Sequence, residues 1–202
     1  MTPKFIVLEG IDGCGSTTQA RLLAEAIPNS LLTREPSDGP VGKLIRQILT
    51  RQIERPFDWR SMGLLFAADR VDHVMNEIEP ALNEGRTVIS DRYDLSSLTY
   101  QLATSPDESS GKWLVTLNSK VRRPDVTVIL DVDAGVAAKR RAFRGGIVEL
   151  FEDDPLLQRR LVELYSRAEQ LVPDDLVLHL DGNQSLEMVQ RAINEMLDVK
   201  AA

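Results

Sequence analysis

The chain predicts a doubly wound α/β fold, a five-stranded parallel sheet between two layers of helices. Three observations point there. Five short runs rich in Val, Ile and Leu are continuous rather than alternating in polarity, as strands buried on both faces of a parallel sheet are. Helical stretches separate these runs, which requires right-handed crossovers. The first run leads into a glycine-rich turn and a helix start, the setting of a phosphate-binding loop.

The elements follow in order. The first strand is Phe5–Leu8, and Glu9-Gly-Ile-Asp-Gly-Cys-Gly-Ser-Thr-Thr-Gln19 comes after it. Gly10 and Gly15 have the spacing of G-x-x-x-x-G-K-[ST], but the next position is Ser16 rather than lysine. Gly10, Gly13 and Gly15 let the main chain approach a phosphate closely, with Ile11, Asp12 and Cys14 between them. Thr17 holds the hydroxyl that ligates Mg2+ in such loops, and Thr18 follows it. An ordinary strand-to-helix turn is the competing reading of this segment alone, strengthened by the absent lysine.

A helix is expected over Thr17–Ile27 and a strand over Ser30–Thr33. Helices over Val41–Thr50 and Arg60–Glu84 lead to a strand at Thr87–Ser90. Helices over Leu95–Leu102 and Lys112–Val121 precede a strand at Val126–Leu130. Helices over Gly135–Arg144 and Pro155–Leu171, a strand at Leu176–Leu180 and a helix over Leu186–Leu197 complete the chain. Thr104–Gly111 is a polar loop expected to be mobile. The stretch from Arg144 to Asp154 opens on two glycines and ends acidic, which suits a lid at about 142–154. No composition shift divides the chain, so residues 1–202 are expected to form one domain.

Bulk properties narrow the function. A net charge of −7 argues against general nucleic-acid binding. The single cysteine, Cys14, leaves no internal disulfide and suits a small loop residue better than a nucleophile. Only two histidines, His73 and His179, are present, which argues against a His/Cys zinc site. The N-terminal residues lack the regions of a signal peptide, and no apolar run reaches membrane-spanning length. A soluble cytoplasmic protein without membrane or nucleic-acid partners is expected.

Ligands of such sheets bind at the carboxyl ends of the strands. Glu9–Thr18, Arg34–Pro36 and Asp91–Tyr93 should therefore converge. Asp91 can hold the hydration shell of Mg2+ near Thr17, and Arg92 can fork onto a phosphate. Arg34 can ligate another, while Pro36 walls a turn. A structural ion pair is the bland alternative at both strand ends. Phe66 and Arg70 share one helix face, where an aromatic ring and a guanidinium can stack on a base and read its edge. Core Phe plus surface Arg is the plainer account of that pair. Arg140, Arg141 and Arg144 crowd a helix end before Gly145-Gly146, either as a solvated basic face or as a lid that closes on phosphates.

Together these segments resemble the thymidylate kinase family. The matches are FIVLEGIDGCGSTTQ, TREP followed by PVGKLIR, LLFAADR, ISDRYDLSSLTYQ, RRPDVTVILDV and the lid stretch ending in VELFE. The resemblance implies the P-loop nucleoside monophosphate kinase fold with a short lid. It implies transfer of the γ-phosphoryl of ATP to dTMP with Mg2+, giving dTDP toward dTTP, by a homodimer. Carried over, Phe66 stacks on thymine and Arg70 reads its edge, with Pro36, Ser97, Tyr100 and Gln101 around the nucleoside. Arg34, Arg92 and Asp12 lie at the acceptor phosphate. Thr17 and Asp91 serve the metal, and Arg140, Arg141 and Arg144 form the catalytic lid cluster. Ser16 departs from the family's lysine. A lid arginine in the missing cation's place is the preferred explanation. Nucleotide binding with weak or no catalysis is an alternative, as is a kinase for another monophosphate such as dUMP.

Overall fold

The computed structural model describes residues 2–107 and 109–199. Its five strands are β1 (Phe5–Glu9), β2 (Ser30–Arg34), β3 (Thr87–Asp91), β4 (Val126–Asp131) and β5 (Val177–Asp181), all parallel in the order β2-β3-β1-β4-β5. β1 and β3 are buried throughout and β4 nearly so, while β2 and β5 form half-exposed edges. This explains their unbroken apolar runs. Register aligns Leu8 with Asp91 and with Val128. The strand ends therefore open together where the order reverses around β1, the usual crevice of an open α/β sheet.

The helices are α1 (Ser16–Ala26), α2 (Pro40–Leu49), α3 (Trp59–His73), α4 (Glu79–Asn83), α5 (Asp94–Thr104), α6 (Ser110–Leu117), α7 (Ala134–Arg144), α8 (Pro155–Tyr165) and α9 (Leu186–Met196). α1 packs on α9, α3 on α2 and α5, and α5 on α6 and α8. Phe5 and Val7 share a cluster with Val74, Ile78 and Ala81, whereas Ile6 and Leu8 join Ala20 and Leu23 of α1. Helices thus cover both sides of β1.

The expected helix over Arg60–Glu84 is helical but not uniform. A π-helical turn, Val74–Ile78, separates α3 from α4. Pro80 supplies the reason: it has no N–H and its ring crowds the carbonyl four residues back, so the preceding turn widens. The Pro155–Leu171 helix also ends early, at Tyr165, with a short 3₁₀ turn at Ala168–Gln170. The polar loop after α5 is drawn in by a 2.8 Å bond between the Ser105 and Ser110 hydroxyls, and α6 starts at Ser110 rather than Lys112. Its Glu108 lies outside the described residues. α7 runs to Arg144, so the stretch expected as a lid is helical over residues 142–144 and irregular from Gly145 on. It lies against the body: the Leu150 N–H donates to the Leu49 carbonyl at 2.9 Å, and the Phe151 and Tyr100 ring centroids are 5.5 Å apart. No described helix is long and apolar enough to cross a membrane.

Candidate active site

A cleft of about 710 Å³ opens at the strand ends. It gathers Asp12, Gly13, Gly15, Ser16, Thr17 and Thr18 from the loop and the start of α1, Arg34 at the end of β2, Pro36 beyond it, and Phe66 from α3. Asp91 and Arg92 of the β3 end, Tyr100 of α5, and Arg140, Arg141 and Arg144 of α7 line it as well. Gly10, Ile11 and Cys14 are buried beneath the loop and do not line it. Burial pushes the Cys14 thiol up, which suits an inert residue rather than a nucleophile.

Gly15 caps α1 in the left-handed region, φ 101°. No side chain caps α1 and its first turn holds no acid. Its terminal N–H groups are therefore available to an anion beside Ser16, Thr17 and Thr18. The Thr17 hydroxyl donates to Asp91 Oδ2 at 2.5 Å, while Asp91 Oδ1 is buried without a hydrogen-bond partner among the described residues. This pair of hard oxygen donors fits Mg2+, which takes few protein ligands beside phosphate.

Arg92 follows β3 at φ 72°, a costly conformation for a side-chain-bearing residue and one that recurs at functional sites. It donates to Asp12 at 2.7 Å and to the Ser96 hydroxyl at 2.9 Å, with its guanidinium 5.4 Å from the Tyr100 ring centre. Burial opposes its charge, but Tyr100 and Asp12 more than restore it. Glu9 sets the next layer. It accepts from Tyr93 N at 2.8 Å and Ser96 N at 3.1 Å through one oxygen, and from the Ser96 hydroxyl at 2.6 Å and Tyr165 OH at 2.9 Å through the other. α5 has no cap of its own, so a carboxylate from β1 performs that role and fixes Ser96 under Arg92.

Arg34 pairs with Asp38 at 2.9 Å. Arg46 donates to the Pro36 carbonyl at 2.5 Å and also lines the cleft. Burial and then the neighbouring Arg34 charge hold the Arg46 pKa below its usual value, although Asp38 lies 3.8 Å from it. The Glu35–Pro36 peptide is cis.

Arg70, Ser97 and Gln101 stand behind the cleft wall rather than in it. Arg70 is fully buried, not a surface cation. It donates to Glu35 at 2.6 Å, to Ser97 at 2.9 Å, to the Tyr93 carbonyl at 3.2 Å and to Asn118. Its Nε, both amide atoms of Gln101 and the Tyr100 hydroxyl are buried without hydrogen-bond partners among the described residues.

Sequence reasoning missed Arg46, Ser96 and Tyr165 as parts of this site, and it placed Glu9 there only as the first residue of the converging loop. Arg46 had a signal, a cation beside the apolar positions Ile45, Ile48 and Leu49 of α2. Glu9 had another, a charge ending a fully buried strand. Ser96 and Tyr165 had none, since their importance comes from meeting Glu9 across the fold.

The thymidylate kinase family model matches residues 8–193. A probable thymidylate kinase from Pyrococcus horikoshii is 43% identical over 181 residues, 86% of either chain. Another from Pyrobaculum calidifontis is 46% identical over 169 residues, 82% of this chain and 83% of that one. Among solved structures, a thymidylate kinase from Candida albicans superposes with a TM-score of 0.84 at 25% identity, covering 98% of this chain and 92% of its own. The loop, the arginine-lined cleft and these relatives agree, and the chain belongs to the thymidylate kinase family.

Proposed function

We propose that the protein phosphorylates dTMP to dTDP with the γ-phosphoryl of ATP and Mg2+, a step toward dTTP. The observation that carries this reading is the set of unpaired polar atoms behind Phe66: Arg70 Nε and both amide atoms of Gln101. Leaving such groups unpaired costs roughly 1–3 kcal/mol each, a penalty a ligand can remove. A thymine edge carries the O4 acceptor beside an N–H donor, matching a guanidinium and a carboxamide. Phe66 stacks on the ring, and Pro36, Ser97 and Tyr100 bound the nucleoside. Arg92, Asp12 and Arg34, with Arg46, hold the acceptor phosphate.

The donor triphosphate lies along the loop from Gly10 to Thr18, with Arg140, Arg141 and Arg144 over it. Thr17 and Asp91 would hold Mg2+, which supplies charge neutralisation on the phosphates when bound. The cleft's own residues position and desolvate the two phosphates so that they meet in line. The same reading expects a cytoplasmic homodimer, and an exposed apolar stripe on α3 supports the dimer.

The test is ADP formation with Mg·ATP and dTMP, dUMP, dCMP, dGMP or AMP in turn. Turnover with dTMP far above the others is the expected result. Ser16 favours a second reading, nucleotide binding without catalysis. Tight binding of ATP and dTMP with no ADP formed would establish it, and preferred turnover of dUMP would reassign the acceptor.

A further inference from the structure

The loop has an uncapped helix end but no cation of its own, since Ser16 occupies the lysine position of the motif. Three arginines of α7 reach the cleft, and their anchors differ. Arg140 uses Nη1 on the Cys14 carbonyl at 3.1 Å and Nη2 on the Gln184 carbonyl at 3.3 Å. It therefore bridges the loop to the turn before α9. Arg144 donates to Glu152 of the lid at 2.6 Å. Arg141 places only Nη1 on the protein, at 2.5 Å from the Asp12 carbonyl and 3.3 Å from Gln158 Oε1. Its Nη2 and Nε have no hydrogen-bond partner among the described residues, and it lines the cleft.

The anchor is informative. Asp12 gives its carbonyl to Arg141 and its carboxylate to Arg92, 2.7 Å away. One residue thus joins Arg141 of the donor side to the arginine of the acceptor side. Gly13 makes the approach possible: a Cβ there would lie 2.6 Å from the Ala137 carbonyl oxygen and 3.0 Å from Arg141 Cγ. The missing side chain lets α7 lay Arg141 directly on the loop.

We propose that Arg141 supplies the positive charge that Ser16 lacks, touching the γ-phosphoryl as it is transferred. The inference rests on the phosphoryl-transfer reading above. An oxygen of the acceptor phosphate forms a bond to the γ-phosphorus. The bond from that phosphorus to the β,γ-bridging oxygen breaks, and its electron pair leaves with ADP. Arg141 stabilises the charge spread over these oxygens from a position already fixed by the Asp12 carbonyl, so little reorganisation accompanies the step.

The test compares the native protein with Arg141→Gln, Ser16→Lys and the double variant. Glutamine keeps a donor for the Asp12 carbonyl and removes the charge; Arg141→Ala removes the same charge if the glutamine variant does not fold. Two quantities are read: kcat with dTMP, and the ratio of ATP to ADP affinity by calorimetry without acceptor. Arg141→Gln should lose on the order of 10²–10³ in kcat and most of the preference for ATP. Ser16→Lys alone should not raise kcat by orders of magnitude, because the charge is already present. In the Arg141→Gln background, Ser16→Lys should restore at least roughly tenfold in kcat and recover the ATP preference, a coupling expected only of groups sharing one role. The proposal is overturned if Arg141→Gln leaves both quantities unchanged, if the two substitutions act independently, or if Ser16→Lys alone raises kcat by orders of magnitude. A native protein that turns over no monophosphate would defeat the kinase reading instead, and the affinity ratio would still judge Arg141.

Discussion

Gln101 concentrates the conflict between stability and binding. Its carboxamide is fully buried with neither atom hydrogen-bonded among the described residues, although Arg70, on the helix packed against α5, has four partners. An apolar residue of similar size should relieve that penalty. Gln101→Leu is expected to stabilise the unliganded protein by about 1–3 kcal/mol, raising Tm by roughly 2–4 °C per kcal/mol in a chain of this size. The same change should raise KM for dTMP about tenfold or more, the worth of one good hydrogen bond, and narrow the margin over dCMP. Thermal melting and substrate kinetics together decide it. A lower Tm with unchanged KM would mean that the amide has a structural role and no part in reading the base. Arg70 is a poorer probe, because its loss would strand the buried Glu35 carboxylate.

His73 ties α3 to the end of β2 and the turn beyond it. Its Nδ1 is 3.3 Å from Glu35, and its Nε2 is 2.7 Å from the Thr33 hydroxyl and 3.4 Å from Glu77. Burial pulls its pKa down, but the Glu35 bond and the charges of Glu35, Glu77 and Asp69 together carry it above the ordinary 6.5. The imidazolium therefore favours the fold below the unfolded value, and that contribution is lost as pH rises through the folded one. Stability should fall as pH rises above about 6.5, and His73→Gln should flatten this slope in melts over a pH series. An unchanged slope would remove His73 from the linkage. None of this was legible from a lone histidine in a helix, because its partners come from β2, the following turn and one helical turn ahead. The strands were legible, because burial on both faces leaves an unbroken apolar run. So was the convergence of Asp12, Arg34, Asp91 and Arg92, which follows from strand ends alone. The π-turn before Pro80 and the early end of α8 were not, since the apolar pattern continues through both. The depth of Arg70 was also hidden, because only the three-dimensional meeting of Glu35, Ser97 and Asn118 lets a guanidinium be buried.

Across the whole molecule, α3 and the π-turn after it are apolar on a second face as well. Leu64, Ala68, Val71 and Met75 follow one another at helical spacing, and Leu64, Val71 and Met75 are 52%, 48% and 66% exposed. A stripe of this kind marks an interaction surface more often than bare solvent contact. A second copy is the simplest occupant, because a two-fold axis lets the stripe cover itself. Burying three such side chains from each copy contributes on the order of 1 kcal/mol apiece, near the lower bound of what association costs. Leu44 of α2, the helix packed on α3, is also partly exposed. The native protein should therefore sediment at twice its 22.6 kDa mass, and Val71→Glu should sediment as a monomer. Val71 directly follows Arg70, and Phe66 lies on the same helix. Loss of the partner should then free α3 and raise KM for dTMP more than it lowers kcat. A native protein that sediments as a monomer at micromolar concentration would leave the stripe to another partner. A monomeric Val71→Glu with native KM would show that α3 holds the acceptor pocket without help from a second copy.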